Sequence, residues 1–509
     1  MALNFTISPA WALNSEELLD LMVNEKVITP EKAERIKQKA RIIDRAKKAE
    51  EEAKRARELQ RVKQEAKAEA KAEAAKEAKA VVDQKAEDYG LEKISKALKG
   101  LKVGVLAYVD YSLGDRPIFM GPPLYTPTGP MGRNVSGHTG YNQWRLQRGY
   151  LNIVKEITPW LYARYTPDLH QNNAGEWVWR TKYLYAELRP PNAGRVLTQM
   201  KNEIGLGHVP WHDFEEHIWP YRCQGTIPLE RAGVFNSADL GVSIRGNFGG
   251  KLANAKERVG NTHYDGRYGS WHIGVYNGGG YHAAEVNENK PVEYRFTLRP
   301  LPTSLPGLQA TYFGLYGKGN NTSANSFGAP FFNYSPDWIV HQGYLSYQNP
   351  WFLLAAQMFY TKGNQSGNWT TVPNNPGRPV GNRADSLWTR GFSVYGDVKL
   401  PLAWSIPFWR SNHKYPLHVY YRTDWFNADL YKVVSRSAKY TKLMTGLAYY
   451  LYKHNLILIG YERTWYGQDY GIQGGTGYNG TGSRVANVTT NGGNLGTDQR
   501  FQVVFQISY

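Results

Sequence analysis

The spacing of apolar residues changes once along this 509-residue chain, near Gly90. Before that point apolar residues recur at three- and four-residue intervals, as at Ala33 and Ile36, which is the period of one helix face. After it, apolar and polar residues alternate, which is the period of a β-strand with two different faces. The pattern therefore predicts a helical segment over 13–100 and a β-rich segment over 101–509.

Two helices are predicted in the first segment. Residues 15–27 form a short amphipathic helix, and a second helix begins at Thr29-Pro30-Glu31, where each residue type suits a helix start. The second helix runs to about Asp88, which corresponds to about 90 Å. Because such a rod cannot bury a core alone, we favour a self-associating coiled coil, with a solvated single helix as the alternative. Its acidic and basic residues nearly balance, which argues against a nucleic-acid partner.

Sixteen strands are predicted after residue 100. In 292–299 the apolar side chains share one face and the charged side chains share the other, which suits lipid outside and water inside a barrel. The predicted strands are 101–111, 143–154, 160–168, 177–188, 196–207, 237–249, 269–276, 291–299, 308–317, 337–347, 351–361, 388–399, 415–426, 439–452, 456–466 and 500–509.

The connections between these strands alternate between short and long. This two-sided pattern predicts an all-β transmembrane barrel of about sixteen antiparallel strands, with both of its termini at the end that carries the short turns. Two connections on that short side, 250–268 and 400–414, are longer than the pattern predicts. An even number of strands also lets 500–509 pair with 101–111 and close the barrel.

Composition and charge narrow the class of protein. Aromatic residues make up 14% of the chain, and we find no run of eighteen apolar residues, which fits a barrel with aromatic girdles better than transmembrane helices. The single Cys223 excludes an intrachain disulfide, a CxxC zinc site and a CxxCH haem attachment. Most of the formal charge of +17 lies after residue 100. Residues 1–12 end in Ala-Trp-Ala and are interpreted as a residual export signal, with an ordinary disordered terminus as the alternative.

The final strand is similar to the C-terminal signature of bacterial outer-membrane barrels. Its apolar face consists of Phe501, Val503, Phe505, Ile507 and Tyr509. The resemblance implies a membrane insertion signal read by the barrel-assembly machinery, contact with outer-membrane lipid, and a Gram-negative outer-membrane location. The C-terminus and the N-terminal rod are then expected in the periplasm.

The third long connection, within 206–239, concentrates charged and aromatic residues. Together with 146–153, the segment from Leu229 to Arg231 and the late hairpin 446–461, it resembles the phosphate-selective porins O and P and related porins, some of which carry an N-terminal coil. The resemblance covers roughly 101–509. It implies a sixteen-stranded barrel, a homotrimer and a third loop folded into the lumen.

Candidate residues for a pore constriction come from that loop and from the polar faces of the strands. Arginine binds oxyanions in a bidentate manner, which favours anions, whereas loop acids facing wall bases would give a mixed field. Each basic residue can alternatively be a wall charge without a special role. The candidates are Arg148, Arg164, Arg180, Lys182, Trp211, His212, Asp213, Glu215, Glu216, Arg222, Glu230, Arg231, Arg295 and Arg299.

Chemical activity is not expected. His208, His212 and His217 lie among acids, but Pro210 interrupts helical spacing, so we predict no metal site. No nucleophile elbow, HExxH or P-loop is present, which disfavours a barrel hydrolase. The chain is not expected to be an enzyme or to need a cofactor.

These patterns favour a porin for passive diffusion of small hydrophilic solutes, with an anion preference. One alternative is a tether that reaches peptidoglycan or a periplasmic partner through the N-terminal rod. Another is a barrel sheath around a partner electron-transfer cytochrome.

Overall fold

The computed structural model divides the chain into two compact units, Met1–Lys99 and Gly100–Tyr509. The proposed export signal, 1–12, lies outside the described residues. The structure describes residues 15–88, 98–119, 125–126, 129–130, 135–172, 175–281, 283–321, 335–367, 369, 386–402, 411–432, 438–467, 470–472, 486–488 and 496–509.

The first unit contains the two predicted helices, α1 (Ser15–Asn24) and α2 (Pro30–Asp88). The backbone N–H of Lys32 donates to the Thr29 hydroxyl at 3.4 Å, and Lys37 pairs with Asp20 at 2.6 Å, which ties α2 to α1. No described helix has the length and hydropathy needed to cross a membrane. The helical prediction is confirmed, and the coiled coil stays a prediction.

The second unit is a closed antiparallel barrel of sixteen strands, which confirms the predicted fold. Two short ladders, Tyr125–Thr126 with Gly129–Pro130 and Tyr470–Ile472 with Ala486–Val488, lie outside the barrel sheet. The barrel strands are β1 (Leu101–Phe119), β2 (Val135–Thr158), β3 (Leu161–Gln171), β4 (Trp177–Leu188), β5 (Leu197–His208), β6 (Ala238–Phe248), β7 (Gly269–Tyr276), β8 (Val292–Leu298), β9 (Leu308–Lys318), β10 (Asp337–Asn349), β11 (Phe352–Lys362), β12 (Trp388–Leu400), β13 (Leu417–Asn427), β14 (Lys439–Tyr452), β15 (Asn455–Tyr466) and β16 (Thr497–Ser508).

The barrel closes between β1 and β16, as the sequence predicts. Leu106 pairs with Ser508 and the register continues to Asp115 opposite Gln499. Tyr509 adds two backbone hydrogen bonds with Val105, each of 3.2 Å. The first two strands extend beyond their predicted limits, because they pair with each other as far as Phe119 and Val135.

The outer surface is apolar, whereas alternate positions point inward and are buried. On β8, Phe296 and Leu298 face outward and the polar Glu293, Arg295 and Thr297 face inward. An outward apolar face is what a transmembrane barrel presents to lipid. Exposed apolar side chains on the strands include Val103, Val242, Val275, Tyr312, Leu345, Leu354, Met358, Phe392, Val419, Leu447, Ile459, Phe501 and Ile507.

Large aromatic side chains are exposed near both ends of the barrel. At the end that carries the strand termini Leu101 and Ser508, called here the terminal end, they include Trp160, Trp351, Tyr452 and Tyr509. At the opposite end they include Trp177, Trp179, Tyr316 and Trp465. Two such groups resemble the aromatic girdles by which barrels meet the two membrane interfaces.

Arginine in place of Phe296 is expected to destabilise the barrel more than arginine in place of Val292. The two wild-type side chains are similarly exposed on β8, at 41% and 38%, but Val292 begins the strand. A lipid-facing arginine costs about 2–4 kcal/mol at the bilayer midplane and about 0–1 kcal/mol near an interface. Reversible urea unfolding from phosphatidylcholine vesicles measures both costs, and equal values would contradict a lipid-facing β8.

Candidate functional site

The connection 209–237 between β5 and β6, called here the inner loop, contains two short helices. These are α3 (Pro210–Glu216) and α4 (Pro228–Ala232), and each begins with a proline at its first turn after an extended residue. Proline suits that position because the N–H it lacks would have no partner inside the helix. Gly233 ends α4 at φ 86°, a left-handed conformation that favours glycine.

The inner loop packs against inward-facing residues of the later strands. The Tyr221 hydroxyl lies 2.8 Å from Nδ1 of His418 on β13, and Arg500 on β16 donates to the carbonyl of Gln224 at 2.8 Å. These strands lie far from β5 and β6 around the barrel. The loop therefore crosses the barrel interior instead of extending away from its end.

Aromatic side chains fill the space between the inner loop and this wall. Trp211 is fully buried, with ring centroids 5.8 Å from Phe313 and 5.3 Å from Tyr344. Trp219 lies 4.7 Å from Tyr395 in the same cluster. Apolar side chains thus cover much of the wall from β9 to β15, with buried polar groups among them, which corrects the expectation that inward faces meet water throughout.

A charged cluster around Glu462 joins the inner loop to β14, β15 and β16. Arg231 donates to both oxygens of Glu462, at 3.0 and 3.3 Å, while Lys442 and Arg500 donate at 2.7 and 2.9 Å. All four side chains are buried, so each charge depends on the others for the stabilisation that water would otherwise give. Gly225 leaves room for the cluster, because a Cβ there would lie 1.7 Å from Nη2 of Arg231.

Two titratable side chains of α3, Glu215 and His212, are buried. Glu215 accepts hydrogen bonds from Trp211 at 2.6 Å, Gln357 at 2.5 Å and Tyr395 at 2.9 Å. Burial outweighs these donors and raises the pKa of Glu215 to about 7. Burial likewise lowers the pKa of His212 to about 4, because the neutral imidazole is favoured away from water.

Between the inner loop and strands β1 to β6 lies a cavity of about 610 Å³. Within the described residues its lining contains seven cationic side chains and four carboxylates, a surplus that attracts anions. The cations are Arg164, Lys182, Arg189, Lys201, Arg222, Arg245 and Lys251. The carboxylates are Glu187, Asp213, Glu216 and Asp265, and tyrosines at 108, 150, 162, 183, 185 and 264 complete much of the wall.

Arg164 and Lys182 differ from the other cations of the cavity. Neither has a carboxylate oxygen within 4.0 Å among the residues that the structure describes. Arg164 donates to Asn152 at 2.9 Å and lies 4.7 Å from the ring centroid of Tyr183. Lys182 donates to the hydroxyl of Ser237. Their partners are neutral, but Lys182 is almost fully buried and packs on the ring of Tyr281, so Arg164, which is half-buried, is the one of the two that presents its charge to the cavity.

The loop acids, in contrast, already have cationic partners. Asp213 accepts from Arg245 at 2.6 Å, and although burial opposes it, His208 and Arg245 hold the pKa of Asp213 well below its usual value. Glu216 accepts from Arg222. The loop acids are therefore neutralised in pairs, Asp213 by Arg245 of the wall and Glu216 by Arg222 of the loop itself, instead of setting up a field across open water.

His212, Glu216 and Glu230 bring three potential metal ligands within 4.8 Å of one another. Arg222, however, donates to Glu216 and, at 2.9 Å, to Glu230, while His212 Nε2 lies 3.1 Å from Glu230. A cation here would meet carboxylates that a guanidinium already neutralises. The arrangement is best explained as a charge cluster that holds the inner loop together.

The structure separates the candidate residues into two groups. Five of them line the cavity: Arg164, Lys182, Asp213, Glu216 and Arg222. The others do not line it and are engaged in packing or pairing. Arg148 donates to Tyr150, and Arg180 pairs with Asp168. Arg295 lies over Phe214, and Arg299 donates to the carbonyl of Gly266. The remaining candidates are enclosed within the inner loop or against the wall: Trp211, His212, Glu215, Glu230 and Arg231.

Sequence reasoning missed several residues of the cavity. Arg245 occupies an inward position on β6, a signal that strand alternation already contained, and Arg189 and Lys201 lie at or near strand ends. Five more come from 249–268, called here the folded connection, which contributes Lys251 and residues 262–265. The unexpected length of this connection was the signal that the sequence offered, because a turn between neighbouring antiparallel strands needs only a few residues.

No family model matches the chain, and a search of curated proteins gives no match, so the resemblance to porins O and P stays a hypothesis. Among solved structures, the anion-selective porin from Comamonas acidovorans is 10% identical over 80% of this chain and 99% of that chain, with a TM-score of 0.48. Salmonella typhi OmpF in complex with daunomycin is 11% identical over 80% and 97%, with a TM-score of 0.47. The channel DcaP of Acinetobacter baumannii is 11% identical over 81% and 98%, with a TM-score of 0.42. Similarity at this level transfers neither a function nor a ligand.

Replacing Glu462 by Gln is expected to loosen the inner loop more than replacing Arg231 by Met. The first change removes the negative charge shared by three cations, and breaking a buried pair in this way costs about 3–5 kcal/mol. The second keeps Glu462 bonded to Lys442 and Arg500. Hydrogen exchange of the α4 amides measures the loosening, with the exposed Glu257→Gln as control. A larger effect of Arg231→Met would contradict the central role of Glu462.

The free energy with which the inner loop docks on the barrel wall is expected to change little between pH 4.5 and 6.5. The raised pKa of Glu215 means that docking weakens as the pH rises from 4.5 to 7, whereas the lowered pKa of His212 means that docking weakens as the pH falls from 6.5 to 4. Each slope is about 1.4 kcal/mol per pH unit, and the signs are opposite.

Single variants separate these two slopes. In His212→Gln, docking should weaken as the pH rises towards 7, and in Glu215→Gln it should strengthen as the pH rises towards 6.5. Hydrogen exchange of the inner-loop amides, corrected for the intrinsic pH dependence of exchange, measures both. Parallel slopes in the two variants would rule out this assignment.

Proposed function

We propose that the chain is a porin of the Gram-negative outer membrane, through which small hydrophilic solutes diffuse passively with a preference for anions. Three features support the proposal: a closed sixteen-stranded barrel, an apolar outer surface between aromatic groups, and a polar cavity inside. Barrels of sixteen to eighteen strands are wide enough to leave an aqueous channel. No chemical step is required of such a channel.

The observation that carries the anion preference is the half-buried Arg164, which has no carboxylate oxygen within 4.0 Å among the described residues. Arg164 lines the cavity, and it donates to the neutral side chain of Asn152. A cation held in a narrow passage with protein walls acts on a passing ion more strongly than it would in bulk water, since less solvent screens it. The paired cations, such as Arg245 and Arg222, contribute less because a carboxylate accompanies each.

The inner loop supplies the constriction in this proposal. It occupies the half of the interior beside the later strands, so solutes pass between its polar side and strands β1 to β6. Asp213, Glu216, His217 and Arg222 are the loop residues that such a solute meets. Trp211, Glu215 and Arg231 then act indirectly, because they hold the loop in place.

The wider assembly is also part of the proposal. We infer a homotrimer, with the terminal end of the barrel and the N-terminal helices in the periplasm. Residues 13–100 would form the periplasmic segment and 101–509 the membrane barrel. Phe501, Val503, Phe505 and Ile507 point outward on the closing strand, where the assembly machinery could meet them during insertion. Deletion of 15–88 followed by measurement of conductance and envelope integrity separates transport from a tethering role.

The double variant Arg164→Gln, Lys182→Gln is expected to lose most of the anion preference. Reversal potentials in planar bilayers under a potassium chloride gradient measure the chloride-to-potassium permeability ratio. Wild type should favour chloride, and the double variant should move several-fold towards potassium, because the uncompensated charge of Arg164 is removed. The exposed Lys256→Gln, outside the cavity lining, controls for the loss of a cation.

A cation-selective wild-type channel would overturn the anion preference. An unchanged ratio in the double variant would show that the selectivity arises elsewhere. Failure of purified wild-type trimers or monomers to form channels at all would overturn the porin proposal itself.

A further inference from the structure

The folded connection has an ordered structure of its own. It contains α5 (Ala255–Val259), and the apolar side chains of Leu252, Ala255 and Val259 are buried together. At its base Lys251 bridges to Gly266, and the N–H of Leu252 donates to the carbonyl of Asp265 at 2.7 Å. The segment is therefore a small folded element and not an irregular turn.

This element reaches beyond the two strands that it joins. Arg258 donates to the carbonyls of Pro302 and Thr303, at 3.1 and 2.6 Å, in the connection that follows β8. Asn261 lies 3.4 Å from Gln348 near the end of β10. Because β6 and β10 are separated by three strands, the folded connection extends across part of the terminal end of the barrel.

The tip of the folded connection meets the inner loop. Asn261 donates to the carbonyl of His217 at 2.7 Å, and the rings of His217 and His263 lie with their centroids 3.9 Å apart. The Tyr264 hydroxyl donates to Asp213, the acid that also accepts from Arg245. Three separate contacts therefore hold the folded connection against α3 and the residue that follows it.

Both elements share the cavity. The folded connection contributes Lys251, Thr262, His263, Tyr264 and Asp265 to its wall. The connection leaves β6 at Phe248, which pairs with Leu197 at the terminal end, so a solute that moves from the inner loop towards that end meets residues of the folded connection.

We propose that the folded connection forms a second constriction of the pore, at the terminal end, which is fixed in place by its contacts with the inner loop. The proposal rests on the channel function proposed above and assigns part of the filtering to residues 261–265. The two elements then border one cavity, the inner loop along its side and residues 261–265 towards the terminal end.

Thiol modification tests this proposal without deleting any structure. Thr262→Cys places a thiol in the cavity wall, and Lys256→Cys places a matched thiol on the exposed side of α5. The native Cys223 is a suitable background, because it is fully buried and burial raises its pKa to about 12, which keeps it protonated and unreactive. The probe is the anionic reagent 2-sulfonatoethyl methanethiosulfonate, added to open channels in planar bilayers.

The reagent is expected to lower the single-channel conductance of Thr262→Cys by about two-fold or more, since the narrowest sections dominate pore resistance. It should leave Lys256→Cys and wild type unchanged. Normal conductance of a fully modified Thr262→Cys channel, with labelling confirmed by mass spectrometry, would overturn the second constriction while leaving the porin proposal intact.

A second variant removes the constriction. Replacing 253–264 by Asn-Gly keeps the paired base of the connection and closes it with a two-residue hairpin turn. The conductance of this variant should be at least about two-fold higher than that of wild type, and its channel should admit larger solutes. If the variant folds and keeps the conductance and the solute size limit of wild type, the proposal is contradicted. Absence of channels in wild type would instead count against the function on which it rests.

Discussion

A barrel of sixteen strands encloses more space than its wall side chains can fill, and the inner loop decides which part of that space stays wet. The loop brings Trp211, Trp219 and their neighbours against the later strands, so that much of this half of the interior is filled with side chains. The cavity is what remains beside β1 to β6. The position of the cavity therefore depends on how the loop is held rather than on the wall alone.

Holding the loop requires that buried charges be matched. Glu462 accepts from Arg231, Lys442 and Arg500, and Asp213 accepts from Arg245 on the opposite side of the loop. Each carboxylate and each cation would be unstable alone in this environment. Apolar packing brings the loop against the later strands, and these pairs favour one orientation, because another placement would leave buried charges without partners. Arg164, which lines the cavity, lies outside this matching.

The sequence predicted the barrel well because its signal is local. Alternation marks each strand, and strand number with connection length sets the closure between β1 and β16. The site was harder to predict, because inward positions look alike in sequence: Arg295 and Arg164 both sit on polar faces, yet Arg295 is covered by Phe214 and Tyr264 while Arg164 lines the cavity. The difference comes from long-range packing of the loop, which periodicity does not encode. On β9, by contrast, apolar residues around Phe313 occupy both strand faces, and this pattern indicates that the inward face also meets apolar side chains instead of water.

The inner loop and the folded connection are best understood as one assembly. Asp213 receives Arg245 from the wall and Tyr264 from the folded connection, so a single carboxylate positions both elements around the cavity. Displacing the folded connection would remove the Tyr264 hydrogen bond from Asp213, and displacing the inner loop would separate Asp213 from Arg245, so each movement loses a buried hydrogen bond to a charged group. The walls of the cavity therefore gain rigidity from the charge pairing between the elements that form them.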